Sequence, residues 1–188
     1  ENHNPTGKRV TTNDYGSADY YYVNKSSLPK VYGGFNTSLS WKGFDLSAIF
    51  AYSIGGYIYN RDITMILHNG SLEGRDWSTE ILKRWTPDNR DTDVPALSTT
   101  TNNWNSASTR FLQNNSYMRL KNLTLSYNLP KQWISKLSLS SVQVYVQGDN
   151  LFTIHRNQGL DPEQGITGIT YYRYPAMRTI SGGINVSF

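Results

Sequence analysis

Five stretches of the chain alternate apolar and polar residues with a period of two, the pattern of a strand with two unlike faces. In the first, Phe35, Thr37, Leu39 and Trp41 alternate with Asn36, Ser38, Ser40 and Lys42. Lys42-Gly43 reads as a tight hairpin turn. After it, Phe44, Leu46, Ala48, Phe50 and Tyr52 alternate with Asp45, Ser47, Ile49, Ala51 and Ser53. Gly55-Gly56 ends or bends this strand, with Tyr57-Ile58-Tyr59 available for its resumption. The third sets Leu123, Leu125, Tyr127 and Leu129 against Asn122, Thr124, Ser126 and Asn128, and Pro130 stops it. The fourth sets Val142, Val144 and Val146 against Gln143, Tyr145 and Gln147. The last sets Ile180, Gly182, Ile184, Val186 and Phe188 against Thr179, Ser181, Gly183, Asn185 and Ser187. The expected strands are about 34–42, 44–55, 116–129, 140–150 and 176–188.

The intervening segments are rich in turn residues. Residues 1–33, 60–115 and 151–175 read as long loops. One helix is predicted inside them, Asp76 to Trp85, with Asp76 as its cap and Ile81, Leu82 and Trp85 at helical spacing. A single helical turn is expected around Trp133. Connections therefore run short, long, short, long. Tight turns at one end and long loops at the other match an outer-membrane β-barrel, and the longest strands are long enough to cross a bilayer at ~45° tilt. A soluble antiparallel sandwich with one wet face is the alternative, although its strands are usually shorter and its wet face more charged.

Composition sharpens this reading. Among 188 residues, charged side chains make up 17% and aromatics 13%, while 18 Asn, 20 Ser and 17 Thr supply small polar groups. Coiled coils and helix bundles need more Ala, Glu, Lys and Leu. Disordered chains carry more charge and fewer aromatics. The absence of Cys excludes disulfides, thiolate metal sites and Cys nucleophiles. A formal charge of +4 comes from scattered Lys and Arg, not from a basic run, so a nucleic-acid partner is not expected. No stretch approaches the ~20 apolar residues of a membrane helix, and strands escape that test. The chain opens on Glu1 without a signal peptide, as a mature chain or a piece of a longer one.

No catalytic constellation emerges, and no enzyme, cofactor or metal is expected. His3, His68 and His155 lie in loop-like stretches without metal-ligand spacing. Asp88, Asp91 and Asp93 lack the glycine and distal Glu of a calcium loop and read as a turn. Asp161-Pro162-Glu163 has no partner base in sequence and also reads as a turn, and Ser116-Tyr117 has no base to activate a nucleophile. The aromatics fall into two sets. Phe35, Trp41, Phe44, Tyr127 and Phe188 sit on the strands as lipid-facing or interfacial girdle residues. Trp77, Trp85, Trp104, Tyr171 and Tyr172 sit in the long loops, where they either stack on a ligand or hold the loops together.

The last eight residues, with Ser181, Gly183, Val186 and a terminal Phe188, resemble the C-terminal assembly signal of outer-membrane barrels. A wider resemblance spans nearly the whole chain. Its carriers are Tyr32-Gly33-Gly34-Phe35, Trp41-Lys42-Gly43-Phe44-Asp45-Leu46-Ser47 and Gly55-Gly56-Tyr57-Ile58-Tyr59-Asn60. They continue with Arg84-Trp85-Thr86-Pro87-Asp88-Asn89, Val94-Pro95, Arg110-Phe111-Leu112 and Ser116 to Leu125. Gly148-Asp149-Asn150-Leu151-Phe152-Thr153, Gly159-Leu160-Asp161-Pro162-Glu163 and Tyr174-Pro175 complete the series. In this order they resemble the C-terminal part of a SusC/RagA-type TonB-dependent outer-membrane transporter of Bacteroidetes. The resemblance implies an all-β fold, the last five antiparallel strands of a 22-stranded transmembrane barrel whose lumen holds a plug. The short turn at Lys42-Gly43 would face the periplasm and the long loops the outside. Implied partners are the rest of the barrel and plug, a SusD-like lipoprotein, TonB through an N-terminal part, the outer-membrane insertase and lipid. The implied activity is import of glycan or peptide oligomers. A structural subunit of an outer-membrane machine, a barrel caught on its insertase, and a soluble carbohydrate-binding β-sandwich remain the alternatives.

Overall fold

The computed structural model describes residues 14–70, 72, 74–98, 103–157, 159, 161–163 and 165–188. Residues 1–13 of the loop expected at 1–33, with His3, positions 99–102 of the polar segment, and Leu160 lie outside the described residues. In chain order the elements are β1 (Val31–Trp41), β2 (Phe44–Ile54), β3 (Tyr57–Asn60), α1 (Arg61–Ile66), β4 (Leu112–Asn114) and β5 (Tyr117–Asn128). There follow α2 (Lys131–Ile134), β6 (Ser141–His155), β7 (Ile169–Thr170) and β8 (Thr179–Ser187). No helix among the described residues is long and apolar enough to cross a membrane, which leaves crossing by strands open. The chain divides into two compact units. A wall unit comprises 28–56, 114–164 and 174–188, and a loop unit the segments up to Ser27, 57–113 and 165–173.

The wall unit is one antiparallel sheet in the order β1-β2-β5-β6-β8. Its register puts like residues in rows. Leu39, Leu46, Leu125, Val146 and Gly182 lie opposite one another across all five strands. One residue along, on the other face, Ser38, Ser47, Thr124, Gln147 and Ser181 form the matching row. The apolar face is exposed, Leu39 at 67% and Ile184 at 65%. Near the hairpin end Trp41, Phe44 and Tyr127 are register partners on that face, and the rings of Phe44 and Tyr127 are 4.5 Å apart. Phe35 stacks on Phe50 at 4.7 Å farther along it. A tilted strand of this length covers a band of roughly 25 Å, the height of a barrel's apolar belt.

The polar face is tied crosswise by side chains. Ser40 Oγ donates to Asp45 Oδ1 at 2.5 Å and Asn128 Nδ2 to Asp45 Oδ2 at 2.7 Å. Gln143 Nε2 donates to Asn128 Oδ1 at 3.1 Å, and Asn185 Nδ2 to Gln143 Oε1 at 3.2 Å. One residue from each strand thus joins a continuous hydrogen-bonded belt. The β1–β2 turn places Lys42 at φ 48° and Gly43 at φ 88°, the paired left-handed positions of a type I′ hairpin.

Two sequence expectations are corrected. The helix Asp76–Trp85 is a single 3-10 turn, Thr79–Lys83, capped by Ser78 rather than Asp76. Thr79, Ile81 and Trp85 are indifferent helix formers, and Trp85 N donates instead to Val94 O at 2.8 Å. Tyr57-Ile58-Tyr59 does not resume β2. It belongs to β3 at the centre of a separate small sheet, β4-β3-β7, in which β3 and β7 run parallel. This sheet belongs to the loop unit, whose core holds Ile58, Ile81, Val94 and Phe111. Two wall strands extend past expectation, with β1 beginning at Val31 and β6 running to His155, while β8 begins later than expected, at Thr179.

Candidate functional site

Within the wall unit the charged chemistry gathers on the polar face at the end of β5. Arg119 projects from β5 and is 3% exposed. A buried guanidinium needs its charge compensated. Asp161 and Glu163 do this: Arg119 Nη2 pairs with Asp161, and Nη1 donates to Glu163 Oε2 at 2.9 Å. Arg119 Nε donates to Thr153 Oγ1 of β6 at 2.9 Å. β5 carries a bulge between Leu120 and Asn122. A bulge re-aims the inserted side chain, and Lys121 Nζ reaches the same Glu163 oxygen at 2.6 Å. The turn is pinned further by Asp161, which accepts from Glu163 N at 2.9 Å and Ala176 N at 2.6 Å. Asn115 Nδ2 donates to Pro162 O at 2.8 Å. Burial pushes the Asp161 carboxyl up, but those two backbone donors and Arg119 outweigh it and hold it below the usual carboxylate range. The turn expected at Asp161-Pro162-Glu163 is therefore also an ion cluster. Its partner Arg119 is 42 residues away in sequence from Asp161, which no local spacing announces.

The loop unit contains all five loop aromatics singled out from sequence, and brings two of them together. Tyr171 and Tyr172 have ring centroids 4.2 Å apart. The Arg61 guanidinium lies over the Tyr171 ring at 4.6 Å, and Arg75 Nη1 donates to the Tyr172 hydroxyl at 3.4 Å. Asp62 fixes the turn: its Oδ1 accepts from Tyr172 N at 2.8 Å and its Oδ2 from Thr170 Oγ1 at 3.4 Å. Tyr172 takes φ 48°, a left-handed conformation that a bulky residue adopts only when the surroundings hold it. Thr170 beneath is fully buried, while Tyr172 is 62% exposed.

The three tryptophans make separate contacts. Trp77 donates from Nε1 to Nδ1 of His68 at 3.0 Å, and Leu72 N donates to the same nitrogen at 3.3 Å. His68 is 1% exposed, so it is no solvated loop histidine. Burial lowers its affinity for a proton, a backbone hydrogen bond at Arg75 raises it, and the Arg75 charge lowers it again; the net is below the ordinary histidine value. Trp104 carries the Arg110 guanidinium 3.2 Å above its ring centroid. Trp85 is half-exposed beside the turn at Thr86–Asn89. Asp88, Asp91 and Asp93 fall in or beside this turn, where Asn89 N donates to Thr86 O at 3.0 Å and Thr92 Oγ1 to Lys83 O at 2.7 Å. Sequence reasoning missed Arg61, Asp62, Arg75, His68, Arg119 and Lys121. The available signal was a lone arginine in the β5 pattern, which demands a buried counter-charge. In the C-terminal segment Ser181 and Gly183 lie on the polar face of β8 and Val186 on the apolar face, with Phe188 following the strand.

A sheet with one exposed apolar face, one hydrogen-bonded polar face, a tight turn at one end and elaborated loops is a strip of β-barrel wall. No family model matches the chain. It is 34% identical over 166 residues to the TonB-dependent receptor P3 of Formosa agariphila, across 82% of this chain and 16% of that receptor. It is 27% identical over 168 residues to the TonB-dependent receptor SusC of Bacteroides thetaiotaomicron, across 89% of this chain and 16% of SusC. Its fold superposes on the RagAB peptide importer in the open-open state with a TM-score of 0.84 and 34% identity, covering 98% of this chain and 20% of that one. The chain is thus homologous to a segment of the SusC/RagA-type TonB-dependent receptors, outer-membrane proteins of Bacteroidetes, and spans about a fifth of their length or less.

Proposed function

We propose that this chain is the C-terminal wall, with its external loops and assembly signal, of a TonB-dependent outer-membrane transporter that imports glycan or peptide oligomers with a SusD-like lipoprotein. The observation that carries the proposal is the division of the five-stranded sheet into an exposed apolar face and a cross-linked polar face, in a segment that superposes on an importer. The apolar face takes lipid and the polar face lines the lumen around a plug. The long loops are external and meet cargo and the lipoprotein. TonB acts through the N-terminal part, and the insertase reads Ser181, Gly183, Val186 and Phe188 during assembly. In a sandwich, residues such as Leu39 and Ile184 would be interior; here they are exposed. The chain's part in this activity is to bind, line and orient, with no bond made or broken.

The test is deletion of the whole receptor in cells that grow on oligomers. Loss of uptake of one oligomer class, restored by the intact receptor and accompanied by copurification of a lipoprotein, is the expected result. Unchanged uptake of every oligomer tried, with copurification of insertase subunits alone, would sink the importer reading.

A further inference from the structure

The tyrosine pair of the loop unit is a built surface that structural packing does not account for. Packing explains Thr170, which is buried, and Asp62, whose two oxygens are both engaged by Thr170 and the Tyr172 amide. It does not explain why two tyrosines stand exposed at the end of that turn, Tyr171 at 43% and Tyr172 at 62%, the latter in a left-handed conformation. Nor does it explain why each has an arginine against it. Among the described residues neither Arg61 nor Arg75 is in an ion pair. Both spend their contacts on the tyrosines, Arg61 on the Tyr171 face and Arg75 on the Tyr172 hydroxyl. An arginine held by an aromatic ring keeps its charge and its forked donors available to an anion.

From this arrangement we infer that Arg61, Arg75, Tyr171 and Tyr172 form a binding subsite for an acidic sugar unit of an oligosaccharide. A ring C–H face stacks on Tyr172, and the carboxylate or sulfate of that sugar meets the arginines. The inference rests on the importer reading and names the cargo class for it. An anion alone would need only the arginines. The exposed ring calls for a ligand with a flat, weakly polar face next to its charge, which an anionic pyranose has. An extended peptide is a poorer match. A peptide that docks by adding a strand to a sheet edge finds little here, because β7 is two residues long and the following Tyr172 amide is already spent on Asp62; an acidic peptide held by its side chains would leave the exposed ring without a flat partner. The carboxylate of Asp62 is occupied by its two donors, which directs it into the turn.

The test uses the full-length receptor purified from outer membranes. Calorimetric titration compares a galacturonate hexamer, a sulfated galactan hexamer, neutral maltohexaose and a hexaglutamate peptide. One of the two acidic sugars is expected to bind about tenfold or more tightly than maltohexaose, with affinity falling as salt rises. The better of the two identifies carboxylate or sulfate as the group recognised. The double substitution R61Q/R75Q should remove that preference, and Tyr172→Asn, which tolerates the left-handed turn, should weaken acidic sugars about tenfold. R61K/R75K should retain part of the preference, which separates a charge effect from misfolding. Equal binding of acidic and neutral sugars, an unchanged R61Q/R75Q variant, or a preference for hexaglutamate that depends on the same residues would each overturn the subsite. In cells the two readings fail separately. If receptor deletion leaves all uptake unchanged, the importer reading falls. If deletion abolishes uptake of an oligomer while R61Q/R75Q imports acidic and neutral oligomers as the wild type does, the subsite alone falls.

Discussion

Arg119 shows how a single side chain can set the position of a loop. Its guanidinium is buried, and the polar groups that satisfy it come from β6 and from the turn at Asp161-Pro162-Glu163. Replacing it with Met leaves Asp161 buried without its counter-charge. Losing one partner of a buried ion pair costs about 3 kcal/mol or more, which corresponds to an opening of the turn roughly a hundredfold more frequent. Hydrogen exchange at the Glu163 and Ala176 amides, both donors to Asp161, reads this opening directly; unchanged protection in Arg119→Met would assign the turn's order to other contacts. The same carboxylate gives a pH dependence. Its folded value is lowered, so the closed turn is stabilised above the ordinary Asp value of about 3.9 and loses that stability as pH falls through the lowered value. Exchange at those amides should rise only below about pH 4. His68 acts at milder acidity. Its neutral Nδ1 accepts from Trp77 and Leu72, and protonation removes both bonds. Because burial lowers its folded value, the loop unit is stabilised above the ordinary histidine value of about 6.5 and weakens as pH falls below it. Exchange of the Leu72 amide between pH 7 and 5 checks this, and a pH-independent rate of opening would remove His68 from the account.

At the scale of elements, period-two alternation was enough to place the wall, because each strand meets two different environments and writes both into its sequence. Leu39 and Ser38, or Leu125 and Thr124, carry that information locally. The small sheet β4-β3-β7 was not legible for the opposite reason: its strands are two to four residues long and β3 pairs with β7 across more than a hundred residues. Of the candidate site, the residues Tyr171 and Tyr172 were visible as loop aromatics. Arg61, Asp62 and Arg75 were not, since their role is created by contacts that bring 61–75 against 171–172. The strand glycines differ in what faces them across the pairing. A Cβ on Gly34 would lie 2.8 Å from the Phe50 carbonyl oxygen, which is backbone and cannot turn aside. On Gly183 it would lie 2.7–2.9 Å from the hydroxyl, Cζ and Cε1 of Tyr145, all on a side chain that can rotate as a whole. Gly34→Ala should therefore destabilise the β1–β2 pairing by about 1–3 kcal/mol, whereas Gly183→Ala should be absorbed. Urea midpoints of the purified receptor distinguish the two; equal midpoints would show that β1 can move away from β2 without loss.

For the whole molecule the decisive property is that neighbouring positions on one strand face different solvents. Leu125 lies in the apolar row that crosses all five strands, and Thr124 lies in the polar row behind it. An arginine at the centre of a barrel's lipid face costs about 2–4 kcal/mol, while the lumen face hydrates the same side chain. Leu125→Arg should lower the fraction of receptor that reaches the outer membrane in folded, heat-modifiable form. Thr124→Arg should assemble like the wild type and, on the proposed importer role, alter uptake instead, since it adds charge to the polar face. Two adjacent substitutions of one chemistry thus have opposite signatures. A soluble two-faced sheet would reverse the expectation or erase it, because the same arginine would be tolerated wherever water reaches. If both variants assemble equally, lipid is not the solvent of the apolar face. If Leu125→Arg alone fails to assemble, the row from Leu39 to Gly182 is the outside of a membrane wall, and the belt from Ser40 to Asn185 is its hydrogen-bonded inner lining.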